Sequence, residues 1–336
     1  MQNYEYDEDY DDEEYDDDDY GRGPRRVRKV VLSLLIILAV LVAVFLIFFV
    51  KAPAVAADGR EDGVYTVLVV GRDKAGYNTD TMMVASLNTT EKTLDVVNIP
   101  RDTLVNVSWS VKKANSLLSG MGSIEGLMEG VGDMLGFVPD NYIVVNMEAF
   151  EEIVDTIGGV TFDVPVDMDY DDPAQDLAIH LSAGTQKLTG SEALGVFRWR
   201  QNNDGSGYAM GDIDRIDTQQ ALLKAIADQS LKITNVLKFK TFMDIFSEHV
   251  ETDLETGNLA WYGLRFLSLD SDEDIAFHVL PGNYSAYLGG VSYVAIYPEE
   301  WLLLVNNYLN PYVRDRSQSD VSILTLDANG TAYVYG

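Results

Sequence analysis

Three apolar, β-rich runs follow one another closely between Tyr65 and Thr103: Tyr65–Val70, Thr81–Leu87 and Leu94–Ile99. Runs of this length, bounded by polar junctions, read as strands. The chain around them is therefore committed to a sheet. Each junction also places a charge where a run ends, at Asp73, Asp80, Arg101 and Asp102. Open α/β sheets bind ligands at the ends of their strands, which makes these charges candidates for a site.

Downstream, strand and helix patterns alternate. Ser123–Leu135 is amphipathic and ends at Gly136 as a helix C-cap would. Asn141–Met147 reads as a strand, Glu148–Ile157 as a helix closed by Gly158 and Gly159, and Val160–Val164 as another strand. Asp163–Asp176 is acid-rich and interrupted by proline, and it lacks the spacing of an EF-hand, so a solvated loop is expected there. Ser191 is placed to N-cap a short helix over Ser191–Phe197. Helical patterns recur at Arg215–Leu231, Val236–Glu248, Leu254–Leu269 and Pro298–Asn307, with a strand at Ile275–Leu280. Ala328-Asn329-Gly330, between Val321–Leu326 and Thr331–Tyr335, is a type I′ hairpin signal. This order predicts an α/β domain over residues 64–336, a central mixed β-sheet flanked by helices.

The region before the strands divides sharply. Met1–Tyr20 is acidic and carries no aliphatic residue after Met1, so it cannot bury enough apolar surface to offset ordering. Residues 1–29 are expected to be a disordered tail ending in the basic cluster Arg22, Arg25, Arg26, Arg28 and Lys29. The uninterrupted apolar run Val30–Val50 follows. At ~1.5 Å per residue a helix of this length matches the ~30 Å hydrocarbon core of a bilayer. The basic cluster before it orients the N-terminus to the cytoplasm, which predicts a single-pass protein of the cell membrane with everything after about Lys51, including the short linker 51–63, outside. A cleaved signal peptide is the competing reading, with Ala54-Val55-Ala56 as cleavage site; the long apolar run and the long acidic n-region argue against it.

The formal net charge is −30, the opposite of what a phosphate backbone selects, so nucleic acid is not expected as a partner. There are no cysteines, which excludes disulfides and thiolate chemistry. His180, His249 and His278 lack metal-ligand spacing, and neither a Walker A pattern nor G-x-G-x-x-G occurs in the exported part.

Against so acidic a background the arginines are informative. Arg198 and Arg200 are two apart, a spacing that brings their guanidinium groups together only if the helix has ended there. Paired forks suit phosphate, although salt bridges within this acidic domain would also account for them. Gln201–Gly211 reads as a mobile polar loop. Arg215 and Gln219 are spaced i, i+4 near the start of a helix, where an anion is favoured, and Asp212 is placed either to cap that helix or to serve the site.

Taken in order, these pieces resemble the LytR-CpsA-Psr family: Gly71-Arg72-Asp73, Asp80-Thr81, Ile99-Pro100-Arg101-Asp102, Lys113-Ala114-Asn115, Gly158-Gly159-Val160, Leu188–Leu194, Phe197-Arg198-Trp199-Arg200, and Asp212 with Arg215, Gln219 and Gln220. The resemblance spans residues 64–232 strongly and continues weakly to about 310. It implies an envelope phosphotransferase that moves a glycopolymer phosphate (teichoic acid, capsule or another wall glycan) from a polyprenyl-pyrophosphate carrier to the C6 hydroxyl of a peptidoglycan muramyl sugar. It further implies that Asp73 and Asp80 hold magnesium, or manganese in its place, and that Arg101, Lys113, Arg198, Arg200, Arg215 and Gln219 grip the phosphates. Asp212 matches a further acidic site residue, and the polyprenyl chain would lie in an apolar pocket beside the sheet. Thr218 departs from the pattern, standing where an arginine is common.

Pyrophosphate cleavage spreads negative charge over both phosphates, so fixed cations and a hard metal on carboxylates suit it. Asp102 or Asp212 is available to take the proton of the attacking hydroxyl. The same residues would also serve a polyprenyl-pyrophosphate glycan pyrophosphohydrolase, in which water replaces the sugar, or a non-catalytic envelope sensor that binds the lipid-linked glycan.

Overall fold

The three expected runs form β1 (Val64–Arg72), β2 (Thr79–Asn88) and β3 (Thr93–Ile99), each longer than its apolar stretch by a residue or more. The structure is a computed structural model that describes residues 49–56, 58–72, 79–173, 177–209 and 212–336 except 237, without the side chains of residues 80, 212, 213, 233, 236 and 239. The acidic tail, the basic cluster, nearly all of Val30–Val50, and Asp73 lie outside the described residues. Among the described residues no helix is long and apolar enough to cross a membrane.

β1 and β2 are antiparallel, with Tyr65 opposite Leu87 and Val70 opposite Met82, and β3 continues the meander with Ile99 opposite Met82. β4 (Asn141–Val145) returns parallel to β1 after the helix Ile124–Leu135. The chain then leaves the sheet for β5 (Val160–Val164), β6 (Met168–Asp172), β7 (Leu177–Leu181) and β8 (Gly184–Leu188), in which β5 pairs with β8 and β6 with β7. It rejoins the sheet through β9 (Val250–Thr252) beside β4 and β10 (Ile275–Val279) parallel to β3. The order β10-β3-β2-β1-β4-β9 contains both parallel and antiparallel pairs, so the central sheet is mixed as expected. Two hairpins follow, β11 (Gly282–Leu288) with β12 (Val291–Ile296), and β13 (Ile323–Leu326) with β14 (Ala332–Tyr335).

Alternation along the strands gives the sheet two different faces. Leu68, Val70, Met82, Val84, Val97 and Ile99 point to one side, where they pack with Leu127, Val131 and Met134 of helix Ile124–Leu135 and with Trp301. That helix is capped as its sequence requires: the Ser123 side chain accepts from the Gly126 N–H, and Gly136 closes it at φ 79°. Val67, Val69, Ala85 and Leu87 point to the other side, which is left partly unfilled. A second core, around Phe162, Met168, Ile179, Val196 and Trp199, joins β5–β8 to helix Gly190–Arg198.

Several local expectations are corrected. Asp163–Asp176 is not all loop: Met168 and Tyr170 turn inward while Asp169 and Asp171 turn out, so the acidic residues form the wet face of a strand. The cap of helix Gly190–Arg198 is Thr189, one half of a capping box with Glu192, rather than Ser191. In the β13–β14 turn only Gly330 has positive φ, 77°, and its N–H reaches the Asp327 carbonyl at 3.0 Å, which makes this a type I turn with a left-handed glycine. Two consecutive positive φ angles occur instead at Gly289 and Gly290, in the β11–β12 hairpin that sequence reasoning missed. Residues 201–209 are pinned to β6 rather than forming a free loop, through Asn202 and Asn203.

Helix Gly190–Arg198 crosses helix Met147–Thr156 at backbone distance. A Cβ on Gly190 would sit 2.2 Å from the Glu151 carbonyl oxygen, and the Gly190 N–H donates to Asp155 Oδ1 at 2.7 Å. Gly190→Ala is therefore expected to destabilise the domain by about 2 kcal/mol through forced separation of the two helices. Denaturant unfolding measures it, and an unchanged midpoint would show that the contact is dispensable.

Candidate functional site

Helix Gly190–Arg198 ends where the Arg-Trp-Arg spacing requires. Trp199 has left the helix, with φ −62° and ψ 140°, so Arg198 and Arg200 emerge on one side while the Trp199 indole turns into the second core, 1% exposed. Both arginines line a cavity of about 470 Å³. Arg101 reaches the same cavity from the segment after β3, Thr81 from β2, and Arg215 and Gln219 from the long helix Asp212–Ser230. The structure thus brings five residues distant in sequence, Arg101, Arg198, Arg200, Arg215 and Gln219, to one cavity. Tyr170, Leu177 and Phe197 supply a less polar wall. Sequence reasoning missed the Tyr170 part of that wall because it read β6 as a loop.

Lys113 sits beside the cavity instead of lining it. Its Nζ lies 2.9 Å from Asp102 Oδ1, and Arg101 Nε approaches the same oxygen at 3.8 Å. Asp102 thus pairs closely with Lys113 and lies within ion-pair distance of Arg101. Gln219 lines the cavity while its side-chain amide donates to the Phe197 carbonyl at 2.8 Å, and the neighbouring Gln220 donates to the His278 carbonyl at 3.2 Å. The two glutamines moor the long helix to the end of helix Gly190–Arg198 on one side and to β10 on the other. Thr218 is 7% exposed, and its hydroxyl donates to the Asp214 carbonyl within the helix, so this position presents no cation.

Of the expected metal ligands, Asp73 and the side chain of Asp80 lie outside the described residues, as does the side chain of Asp212. Among the described residues no group of three or more His, Asp or Glu side chains forms a metal cluster. Next to position 80 is one oxygen donor of the kind a hard cation takes. Position 80 lies between Thr81, on the cavity wall, and Thr79, whose hydroxyl is buried without a hydrogen-bond partner. Carboxylate and hydroxyl oxygens are the donors that magnesium takes.

The unfilled face of the sheet forms a second cavity, of about 400 Å³, walled by Val67, Val69, Ala85, Phe242, Phe246 and Tyr262 among others. Burial pushes the Tyr262 phenol well above its ordinary value, so it stays protonated there. Thr81 and Ala85 lie on the same face of β2, four residues or about 13 Å apart, so one sheet face runs from the basic cavity to the apolar one.

The outer face of β6 holds a titratable contact. His180 Nδ1 is 2.7 Å from Asp169 Oδ1, and Nε2 is 3.4 Å from Asp171 Oδ1. The hydrogen bond to Asp169, aided by the nearby charges, raises the His180 pKa above its usual value. A raised folded-state pKa contributes stability that is fully present below about pH 6.5 and is lost as pH rises through the raised value. His180→Gln is expected to flatten this part of the stability–pH profile and to leave stability near pH 9 unchanged. An unaltered slope in pH-resolved unfolding would contradict the contact.

A family model described as the LytR_cpsA_psr family matches residues 50–307. Two curated relatives from Bacillus subtilis (strain 168) are named polyisoprenyl-teichoic acid–peptidoglycan teichoic acid transferases: TagV, 31% identical over 52% of this chain, and TagU, 28% identical over 58%. The alignments cover 44% and 61% of those proteins. Regulatory protein MsrR of Staphylococcus aureus (strain COL) is 26% identical over 66% of each chain. Among solved structures, B. subtilis TagV superposes with a TM-score of 0.60 at 24% identity, covering 74% of this chain and 98% of that one. A structure described as TagT bound to LIIa-WTA gives 0.57 at 23% identity, covering 76% and 92%. The shared fold, and a family match across most of the chain, establish that this protein belongs to the LytR-CpsA-Psr family.

Proposed function

We propose that this protein transfers a glycopolymer phosphate from a polyprenyl-pyrophosphate carrier to the C6 hydroxyl of a peptidoglycan muramyl sugar. The observation that carries the reading is the placing of a cavity with four arginines and an apolar cavity along the same sheet face. A polyprenyl pyrophosphate is the kind of molecule that needs both at once. The names of TagV and TagU support teichoic acid as the glycan class.

In this reading the apolar cavity takes the prenyl chain, and Arg101, Arg198, Arg200 and Arg215 hold the pyrophosphate. The sugar oxygen attacks the phosphorus nearer the glycan, and the bond from that phosphorus to the bridging oxygen breaks. Polyprenyl phosphate leaves with the bonding electrons, while the hydroxyl proton passes to a carboxylate. Asp102 is engaged by Lys113, so Asp212, in the first turn of the helix that carries Arg215 and Gln219, is the proposed acceptor. Arginine forks pre-aimed at the departing phosphate stabilise its growing charge without reorganisation. Asp73 and Asp80 would hold magnesium, which would neutralise charge on the pyrophosphate when bound. The reading includes an anchor at Val30–Val50, a cytoplasmic N-terminus and a catalytic domain outside the cell membrane, beside both lipid carrier and wall.

The test incubates the full chain in detergent with a polyprenyl-pyrophosphoryl glycan, magnesium and a peptidoglycan oligomer. Release of polyprenyl phosphate with a matching mass gain on the acceptor is expected. Arg101→Ala should lower the rate at least about a hundredfold, and chelation should abolish it. Release without acceptor gain would replace the transferase by a hydrolase. Binding without release would favour a regulatory role, the role named for MsrR.

A further inference from the structure

The Arg198–Arg200 fork is not held by its own side chains alone; the backbone that carries it is tied down by one amide two residues on. Asn202 Oδ1 accepts from the Trp199 indole N–H at 3.1 Å and from the Asp169 backbone N–H at 2.7 Å. Its Nδ2 donates to the Asp167 carbonyl at 3.3 Å and to Ser206 Oγ at 3.0 Å. An asparagine side chain has two acceptor and two donor positions, and all four are used here. Each bond ends on a different part of the surroundings: the indole between the two arginines, the residue before β6, the second residue of β6, and the turn that brings the chain back toward Tyr208.

The neighbours extend the same tie. The Asn202 N–H donates to the Ser206 carbonyl at 2.7 Å. Asn203 binds both backbone groups of Asp171, accepting from its N–H at 2.6 Å and donating to its carbonyl at 3.0 Å. The Trp199 and Tyr208 rings pack in a T-shaped pair, with centroids 4.7 Å apart. Between Asp169 and Asp171 stands Tyr170, on the less polar wall of the basic cavity. The Asn202-Asn203 pair therefore joins the segment bearing the arginines to the strand bearing the facing wall.

We propose that Asn202 is a positioning residue that fixes the direction of the Arg198–Arg200 fork and the separation of the two cavity walls. The proposal rests on the phosphate-gripping role assigned to that fork under the functional reading. Asn202 acts through Trp199: the indole N–H is held, and the backbone that carries the arginines on either side is fixed with it. Bidentate contacts to phosphate are directional, so a small tilt of the fork loses bonds that a surface lysine would keep.

The experiment titrates inorganic pyrophosphate into the full chain in detergent, at a temperature well below the unfolding midpoint of every variant. Asn202→Leu is expected to raise the Kd about tenfold and to make binding less sensitive to added salt, because fewer charge-assisted bonds form. Trp199→Phe keeps an aromatic ring in the second core but removes the N–H held by Asn202, along with the five-membered ring of the indole. It is expected to raise the Kd about threefold, and it decides the matter if Asn202→Leu does not fold. Lowered thermal midpoints with unchanged Kd and salt dependence would overturn the proposal and leave Asn202 a structural residue. No pyrophosphate binding by the wild-type chain would instead remove the functional reading, and this proposal with it.

Discussion

Burial of the Trp199 indole at the end of helix Gly190–Arg198 is the constraint on which the site depends. With Trp301 it is among the largest fully buried side chains of the domain. Taking such a ring from water contributes about 5 kcal/mol by area, an upper figure. That is far more than two surface arginines could gain by remaining helical. The chain therefore leaves the helix at Trp199, drives the indole into the second core, and throws Arg198 and Arg200 out together on the other side. Hydrophobic burial thus sets the direction of the charges, which is how an acidic domain can hold several guanidinium groups around one space.

The remaining charges arrive by different routes with the same logic. Arg101 follows directly from the end of β3, and Asp102 balances it together with Lys113. Arg215 and Gln219 share a helix face, and Gln219 ties that face to the Phe197 carbonyl, immediately before the fork. The cavity is assembled from a strand, a strand end, a helix end and a helix start, so it cannot exist before the two cores have docked. The apolar cavity has the opposite origin. It exists because one sheet face is packed tightly by helix Ile124–Leu135 while the other meets helices that stand off from it.

Much of this was legible in the sequence, and the failures share one cause. The three first strands, the capped helix before β4 and the i, i+4 pair on the long helix were set by local periodicity and capping, which leave marks in a single sequence. The convergence of Arg198 and Arg200 followed from parity alone, once the helix was taken to end there. The β6 strand was lost because its outward positions are Asp169 and Asp171, and composition outweighed alternation. Asn202 was invisible for a related reason: a polar residue in a Gly-containing loop looks the same whether it is solvated or saturated by four hydrogen bonds. The cavity's less polar wall and the wall of the apolar cavity leave no mark distinguishable from ordinary core. Asp73 and the side chains of Asp80 and Asp212 lie outside the described residues, and their proposed roles rest on the family resemblance.

The central claim is that a single sheet face carries a phosphate site and a lipid site in register. A crystal structure of the protein with a long-chain polyprenyl pyrophosphate addresses it most directly. The account predicts phosphate oxygens within hydrogen-bonding distance of Arg198, Arg200 and Arg215, with the prenyl chain running along Val69 and Ala85 toward Phe242. A pyrophosphate bound away from those arginines, or a prenyl chain that leaves the apolar cavity empty, would contradict it.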